Sequence, residues 1–428
     1  MKRRAFLNTI GTVGVATAFS PESFAETLHT LSAWNGSVAE IAADESYWLE
    51  VQQAYTVNRS MVNLNNGGVS PAPNIVQQAM KRYLDVSNES TAYTMWRWLE
   101  PQREAVRQQL GRLFQCDSEE VAVVRNASEG LQIVQCGFDL KPGDEILTTT
   151  QDYPRMITTY QQRERRDGIK LVQIQIPVPA ENDDEVVHRF EQGITSRTKI
   201  IHISHMINLT GQILPVKKVV QMARRRGIPV IVDGAHSFAH FPFKQADLDC
   251  DYFATSLHKW LCAPHGTGLM YVKKDKIKGL WPLQAAPASM DENIRKYEEI
   301  GTHPAANILA ISEAIMFHNG IGSERKAARL VYLREHWMKQ LEGSERVKFH
   351  TSRKPGLACG LANVQIVGVD PVALSDYLLN KYNILTVAIK HPEFEGIRVT
   401  PQVYTTIEEL DRFADAMNGV IKNGIPKA

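Results

Sequence analysis

An excess of charge of either sign is what this chain most clearly lacks. Its 48 lysines and arginines face 47 aspartates and glutamates, for a formal net charge of +1. That balance leaves no electrostatic footprint for nucleic acid or an anionic membrane surface. Cysteine is scarce as well. Cys116, Cys136, Cys250, Cys262 and Cys359 are scattered, odd in number and never in CxxC spacing. This excludes a disulfide framework and a cysteine-based metal site, and no metal is expected. No stretch is apolar over the roughly 20 residues that a membrane-spanning helix requires. Internal repeats, low-complexity tracts and long linkers are also missing. What remains is an ordinary globular composition of 428 residues, 43% hydrophobic and 22% charged. It suits a large core divided among two or three domains.

The first 25 residues stand apart from that core. Lys2, Arg3 and Arg4 precede Ala5-Phe6-Leu7 and a mildly apolar run to Phe19. Ser23-Phe24-Ala25 then places small residues three before and one before a cut after Ala25. This is the layout of a secretory signal, and the adjacent arginines followed by Phe6-Leu7 resemble a twin-arginine signal. A disordered basic start is the alternative. The expectation is export to the periplasm by the twin-arginine machinery, or an exported and anchored protein if the signal stays attached. That route carries folded proteins, so a cofactor bound in the cytoplasm and reduced buried thiols would both travel with the chain.

From there the sequence alternates strands and helices. A short helix is expected near residues 44–55. Asn65-Asn66-Gly67-Gly68 reads as a tight turn, or as a loop whose backbone approaches a ligand. Helical spacing covers 73–85 and 100–114. The apolar run Val121-Ala122-Val123-Val124 enters Arg125-Asn126-Ala127-Ser128-Glu129-Gly130 and then an apolar helix. A strand, a small polar turn and a helix N-terminus together make an anion site. Ser128 there serves as a helix cap, as a phosphate donor, or as both. Strands are expected at 145–149, 169–177, 199–205, 228–232, 251–255 and 268–272, with helices at 183–194 and 216–226. Such alternation predicts an α/β fold, a mostly parallel sheet covered on both faces. Asn126 to Ser128, Tyr153, Asn208, Asp233 and Ser256 to Lys259 all fall at strand C-termini or just after them, where open α/β sheets bind ligands. Residues 60–304 would form this large domain. Residues 305–342 read as a long helix broken near Gly320-Ile321-Gly322. It links to a smaller α+β unit with strands at 361–367, 384–389 and 396–400 and helices at 370–381 and 406–422. Residues 26–59 are expected to pack with this second unit, 305–428.

The chemistry centres on Lys259, between His258 and Trp260, and on Asp233, at the end of Val230-Ile231-Val232. A lysine and a strand-end acid are what pyridoxal phosphate (PLP) requires: the lysine forms the Schiff base and the acid pairs with the pyridinium nitrogen. Blander readings exist for each part. Lysines are usually on the surface, a strand-end acid often caps a turn, and an arginine such as Arg398 often serves a structural ion pair.

Taken as a set, Asn65-Asn66-Gly67-Gly68, Arg125-Asn126-Ala127-Ser128-Glu129-Gly130, Asp233-Gly234-Ala235-His236, Ser256-Leu257-His258-Lys259-Trp260, Gly301-Thr302 and Arg398-Val399-Thr400-Pro401 resemble the class V aminotransferases. These are fold type I PLP enzymes. Within the class, the chain looks most like the isopenicillin N epimerase-type proteins. The resemblance runs over about residues 60–420 and implies a role for each matching position. Lys259 would hold PLP and carry the α-proton. Asp233 would keep the ring nitrogen protonated. His236 and Asn208 would lie at the ring hydroxyl, and Tyr153 would stack on the ring. Ala127, Ser128, Ser256 and His258 would cradle the phosphate, although His258 also reads as an ordinary turn histidine. Gly301 and Thr302 would reach the phosphate of a neighbouring subunit, which implies a homodimer with shared active sites. Arg398 would clamp a substrate carboxylate through two parallel hydrogen bonds, with Asn66 and Gly67 beside the substrate. One departure matters. Cysteine desulfurases of this class carry a nucleophilic cysteine shortly before the carboxylate arginine, whereas residues 386–398 contain none and the 389–396 connection is short. The expected activity is therefore transamination or epimerisation at Cα of an amino-acid-like substrate. A PLP-dependent lyase is the alternative enzyme reading, and a non-catalytic binding protein of the same fold is the alternative from another class.

Overall fold

Seven strands of the computed structural model form one sheet. The structure describes residues 31–426 apart from Ser32, so the proposed export signal lies outside the described residues. The strands are numbered along the chain: β1 (Val62–Asn63), β2 (Val121–Val124), β3 (Glu145–Thr149), β4 (Lys170–Ile174), β5 (Thr198–Ser204), β6 (Val230–Asp233), β7 (Tyr252–Ser256) and β8 (Gly268–Val272). The large sheet has the order β2-β8-β7-β6-β5-β3-β4. Pairing is parallel from β7 through β4, while β8 runs antiparallel to both β7 and β2. The mostly parallel sheet expected from the sequence is present.

The strand sequences explain why both faces are covered. Along β5, Ile201 and Ile203 join one apolar cluster and Ile200 the other. Along β6, Val230 and Val232 face the first and Ile231 the second. Every second residue thus meets helices on its own side, and the strands read as unbroken β-branched runs. The helices Arg103–Phe114, Asp183–Gly193 and Val216–Arg224 cover the first face. Ala127–Gly137 and Pro154–Asp167 cover the second. At the edge, Glu298 accepts the Val123 N–H at 2.6 Å and pairs with the buried Arg107 at 2.6 Å. That blunts an otherwise open strand.

The smaller unit is built on β9 (Val347–Phe349), β10 (Ala362–Ile366), β11 (Ile384–Leu385), β12 (Val387–His391) and β13 (Phe394–Val399). Four of these form an antiparallel sheet in the order β12-β13-β10-β9, backed by Pro371–Tyr382 and Ile407–Asn423. The single strand expected at 384–389 is divided. Ile384–Leu385 leaves the sheet to pair in parallel with β1, which ties the turn at residues 65–68 to this unit. The long helix expected at 305–342 is three helices, Ala305–Leu309, Ile311–Ile321 and Ser323–Gln340. Gly322 at φ +89° makes the second break. Ser323–Gln340 links the domains: Leu330 lies in the large core, and Leu333, Trp337 and Met338 lie in the small one.

Residues from Leu31 onward rest on these linking helices. Arg325 donates to the Leu31 carbonyl at 2.8 Å, Arg329 to that of Ala42 at 3.1 Å, and Tyr47 to that of Ile321 at 3.2 Å. Among the described residues, no helix is long and apolar enough to cross a membrane.

Candidate active site

A cavity of about 230 Å³ opens at the C-terminal ends of β5, β6 and β7. The N-terminus of Ala127–Gly137 borders it, and the small domain contributes Arg398 from β13. Of the residues singled out in the sequence, Gly67, Ala127, Ser128, Tyr153, Asn208, Asp233, His236, Ser256, His258, Lys259 and Arg398 all line it. Its wall also includes Gly68, Asn126, Leu131, Ser204, Met206 and Ala235, which sequence reasoning gave no role or only a local one.

Lys259 follows β7 in a turn. Its Nζ lies 3.0 Å from His236 Nε2. Burial lowers the ammonium to about 8, aided by Arg398 and opposed by Asp233. A nucleophilic amine is therefore present near neutral pH. Burial also holds His236 well below its usual range, with the neighbouring Lys259 acting in the same sense. The imidazole is thus neutral, and its Nε2 accepts from the lysine. Asp233 ends β6, and its carboxylate accepts the Ala235 N–H at 2.9 Å. Burial raises Asp233, against the opposing pull of that N–H, His202 and Lys259. Gly234 is required between these two groups, because an added Cβ would stand 2.0 Å from ring atoms of Phe253.

The helix Ala127–Gly137 is capped by Asn126, whose side chain accepts the Glu129 N–H at 2.9 Å. The Ser128 hydroxyl is therefore spared the capping role and borders the cavity. Ser256 accepts the Ala127 N–H at 3.0 Å, which ties β7 to the helix start. Burial lowers His258 to about 4, and its backbone carbonyl accepts the Ser70 N–H at 3.0 Å. The helix N-terminus with its dipole and the Ser128 hydroxyl beside it together form an anion cradle.

Arg398 is buried on β13 between β12 and β10. It donates to the Asn208 carbonyl at 3.0 Å and to Asn65 Oδ1 at 2.9 Å. Burial lowers it to about 10, so it stays charged at neutral pH. The sequence pointed to Asn66 in this segment. That residue does not line the cavity: its amide accepts from Tyr404 at 2.6 Å and donates to the carbonyls of Asn63 and Thr400. Asn65 is the neighbour that meets the arginine. Gly67 comes close because it has no side chain, since a Cβ there would lie 2.9 Å from Thr400 and 3.3 Å from His236. Gly301 and Thr302 are exposed and do not border the cavity of their own chain.

The connection before Arg398 is a tight hairpin with His391 paired to Phe394. Its tip docks on the loop after β3, where Gln151 donates to Glu393 at 3.0 Å and His391 donates to the Thr150 carbonyl at 3.0 Å. No cysteine lines the cavity. Cys359 is buried, and burial pushes its thiol up to about 12.

These features fit PLP. Asn208 Oδ1, His236 Nδ1, His258 Nδ1 and Arg398 Nε are buried polar atoms of lining residues with no hydrogen-bond partner among the described residues. Such atoms are costly unless a bound group satisfies them. Together with a depressed lysine, a strand-end carboxylate and a helix N-terminus, they match a ligand bearing a phosphate, a ring hydroxyl, a ring nitrogen and an aldehyde. Among the described residues no cluster of metal ligands occurs.

The sequence model of the family Aminotransferase class-V matches residues 62–413. Isopenicillin N epimerase from Streptomyces clavuligerus is 26% identical over 398 residues, covering 87% of this chain and 98% of its own. Hercynylcysteine sulfoxide lyase from Schizosaccharomyces pombe is 25% identical over 391 residues, covering 87% and 96%. Among solved structures, a cysteine desulfurase from Thermococcus onnurineus superposes with a TM-score of 0.77 at 21% identity, over 87% of this chain and 98% of its own.

Proposed function

The chain belongs to the class V aminotransferase family, whose cofactor is pyridoxal phosphate, and on that premise we propose that it moves the α-proton of an amino-acid-like substrate, transaminating or epimerising it. The observation that carries this reading is the convergence of Lys259, Asp233 and Arg398 on one cavity.

Bound there, PLP supplies an electron sink for the pair left when a bond at the substrate Cα breaks. The protein's own residues do the rest. Ala127, Ser128, Ser256 and His258 would hold the phosphate, and Asn208 and His236 the ring hydroxyl. Tyr153 would lie against the ring, and Asp233 would hold the proton on the ring nitrogen. Lys259, lowered to about 8 by burial, is both the covalent anchor and the group that takes and returns the α-proton, since general acid–base work is most efficient near the operating pH. Arg398 fixes the substrate carboxylate, leaving the Cα–H to face Lys259.

Arg398→Lys tests that clamp. Loss of one charge-assisted hydrogen bond, about 1.5–3 kcal/mol, should raise KM about tenfold to a hundredfold while kcat falls less. An unchanged KM would remove Arg398 from substrate binding.

A lyase reading shares the same first step and differs in the loss of a β or γ group. The similarity to a sulfoxide lyase favours it as much as the similarity to an epimerase favours proton return. A panel of amino acids in deuterated water separates the outcomes. Deuterium at Cα marks proton abstraction, a new oxo acid marks transamination, an inverted centre marks epimerisation, and a released fragment marks a lyase. No deuterium in any member would reject α-proton transfer. A non-catalytic role is disfavoured by the presence of Lys259, Asp233 and Arg398 together.

Two wider features belong to the same reading. Gly301 and Thr302, exposed on their own chain, would serve the phosphate of a second copy. Light scattering of the holoprotein should then give the mass of a dimer, and a monomer would refute it. Export by the twin-arginine route should fail in Arg3→Lys, Arg4→Lys cells. Unchanged periplasmic arrival after fractionation would reject that route.

A further inference from the structure

Behind Asp233 lies a second buried acid. Asp152 accepts hydrogen bonds from the hydroxyls of Thr148, Thr149 and Ser204 and from the N–H groups of Thr149 and Ser204, at 2.5–2.9 Å. Both of its oxygens are used wholly as acceptors. Ser204 on β5 is in register with Asp233 on β6, so the two acids share one face of the sheet. Crowding two carboxylates in a low-dielectric interior disfavours the charged form of the one with fewer donors, which here is Asp233.

The same face carries His202, two residues before Ser204 and fully buried. Its Nδ1 lies 3.1 Å from the Tyr160 hydroxyl, and the two rings meet edge to face at 5.7 Å. The Gln135 amide is engaged elsewhere, its Nε2 donating to the Met156 carbonyl at 3.1 Å. Burial pushes the Tyr160 phenol far up, so it keeps its proton and donates it to Nδ1. The imidazole proton is thereby placed on Nε2, and Nε2 has no hydrogen-bond partner among the described residues. A buried, unpartnered N–H is rare in folded chains. Here His202 is in register with Ile231, two residues before Asp233 on the adjacent strand, so both side chains lie on one face of the sheet.

Resting on the cofactor reading above, we propose that His202 is a positioning residue that acts through Asp233. Its Nε2–H, oriented by the Tyr160 hydroxyl, keeps the Asp233 carboxylate charged in spite of burial and of Asp152. Around Asp233, His202, Lys259 and the Ala235 N–H favour the anion, while Asp152 and burial oppose it. Only a charged Asp233 can hold a proton on the ring nitrogen.

The test uses the holoprotein and three variants, His202→Phe, His202→Gln and Tyr160→Phe. Without His202, Asp233 protonates at higher pH and the ring nitrogen loses its proton support. The midpoint of the pH titration of the visible band should therefore move to higher pH. The acid limb of α-deuteration, measured on whichever L-amino acid of the panel the wild type exchanges fastest, should move the same way. At a pH on that limb, exchange should fall about tenfold, the equivalent of one pKa unit. His202→Gln, which returns an N–H near Nε2, should lie nearer the wild type. A merely structural histidine would alter melting temperature and leave both pH profiles in place. His202→Phe profiles matching the wild type would overturn the proposal. If that variant does not fold, wild-type profiles in both His202→Gln and Tyr160→Phe would overturn it. A wild-type protein without a visible band would instead sink the cofactor reading beneath it.

Discussion

Lys259→Ala is expected to lose at least about 10⁴-fold in turnover, because one side chain serves as both covalent anchor and proton carrier. General acid–base action alone is worth about 10²–10⁴-fold, and loss of the covalent step adds to it. The loss should not come from unfolding. The folded protein lowers this lysine from 10.5 to about 8 by burial. Since the unfolded chain binds that proton more tightly, the folded state is penalised below about pH 8 and relieved as pH rises through the interval up to 10.5. Removing the amine removes the penalty. The melting temperature of the apoprotein at pH 7 should therefore stay level or rise. Turnover near the wild-type rate would refute the role, and a collapsed melting temperature would refute the argument from burial.

The second large effect is expected at Asp233. Asp233→Ala should slow α-deuteration about 10²–10³-fold, the usual worth of one preorganised charge aimed at the reacting system. The sign of its pH dependence follows from burial, which raises the carboxyl. Activity that needs the anion is lost as pH falls through that raised value, sooner than an ordinary aspartate would predict. Stability runs the other way. A carboxyl raised by burial weighs against the folded state once it ionises, so at neutral pH the variant should unfold no earlier than the wild type. Kinetics and urea titration together check both halves. Deuteration at the wild-type rate would show that the ring nitrogen needs no acid partner.

Much of this site was legible because its residues sit where strand chemistry places them. Val121–Val124 and Glu145–Thr149 have the bounds expected of them, since β-branched runs buried on both faces admit little else. Asp233, Ser256 and Lys259 followed from such strands. Pairing was harder to read. Nothing within Gly268–Val272 says that it runs antiparallel, and the two-residue strand Val62–Asn63 exists only because Ile384–Leu385 lies beside it. The choice between Asn65 and Asn66 depended on the path of one turn, which local composition does not determine. Asp152 carries no role that local sequence reveals. Its five donors come from β3 and β5, so its role emerges only when those strands are assembled. The 389–396 connection was short in sequence, but its docking on Thr150 and Gln151 was not visible there.

The central claim is that Lys259 is the covalent anchor of PLP. Borohydride reduction of the holoprotein, followed by digestion and mass spectrometry, tests it most directly. Reduction should abolish the visible band and yield a single modified peptide carrying the reduced cofactor on Lys259. Modification at another lysine, or none at Lys259 while the protein still turns over substrate, would contradict it.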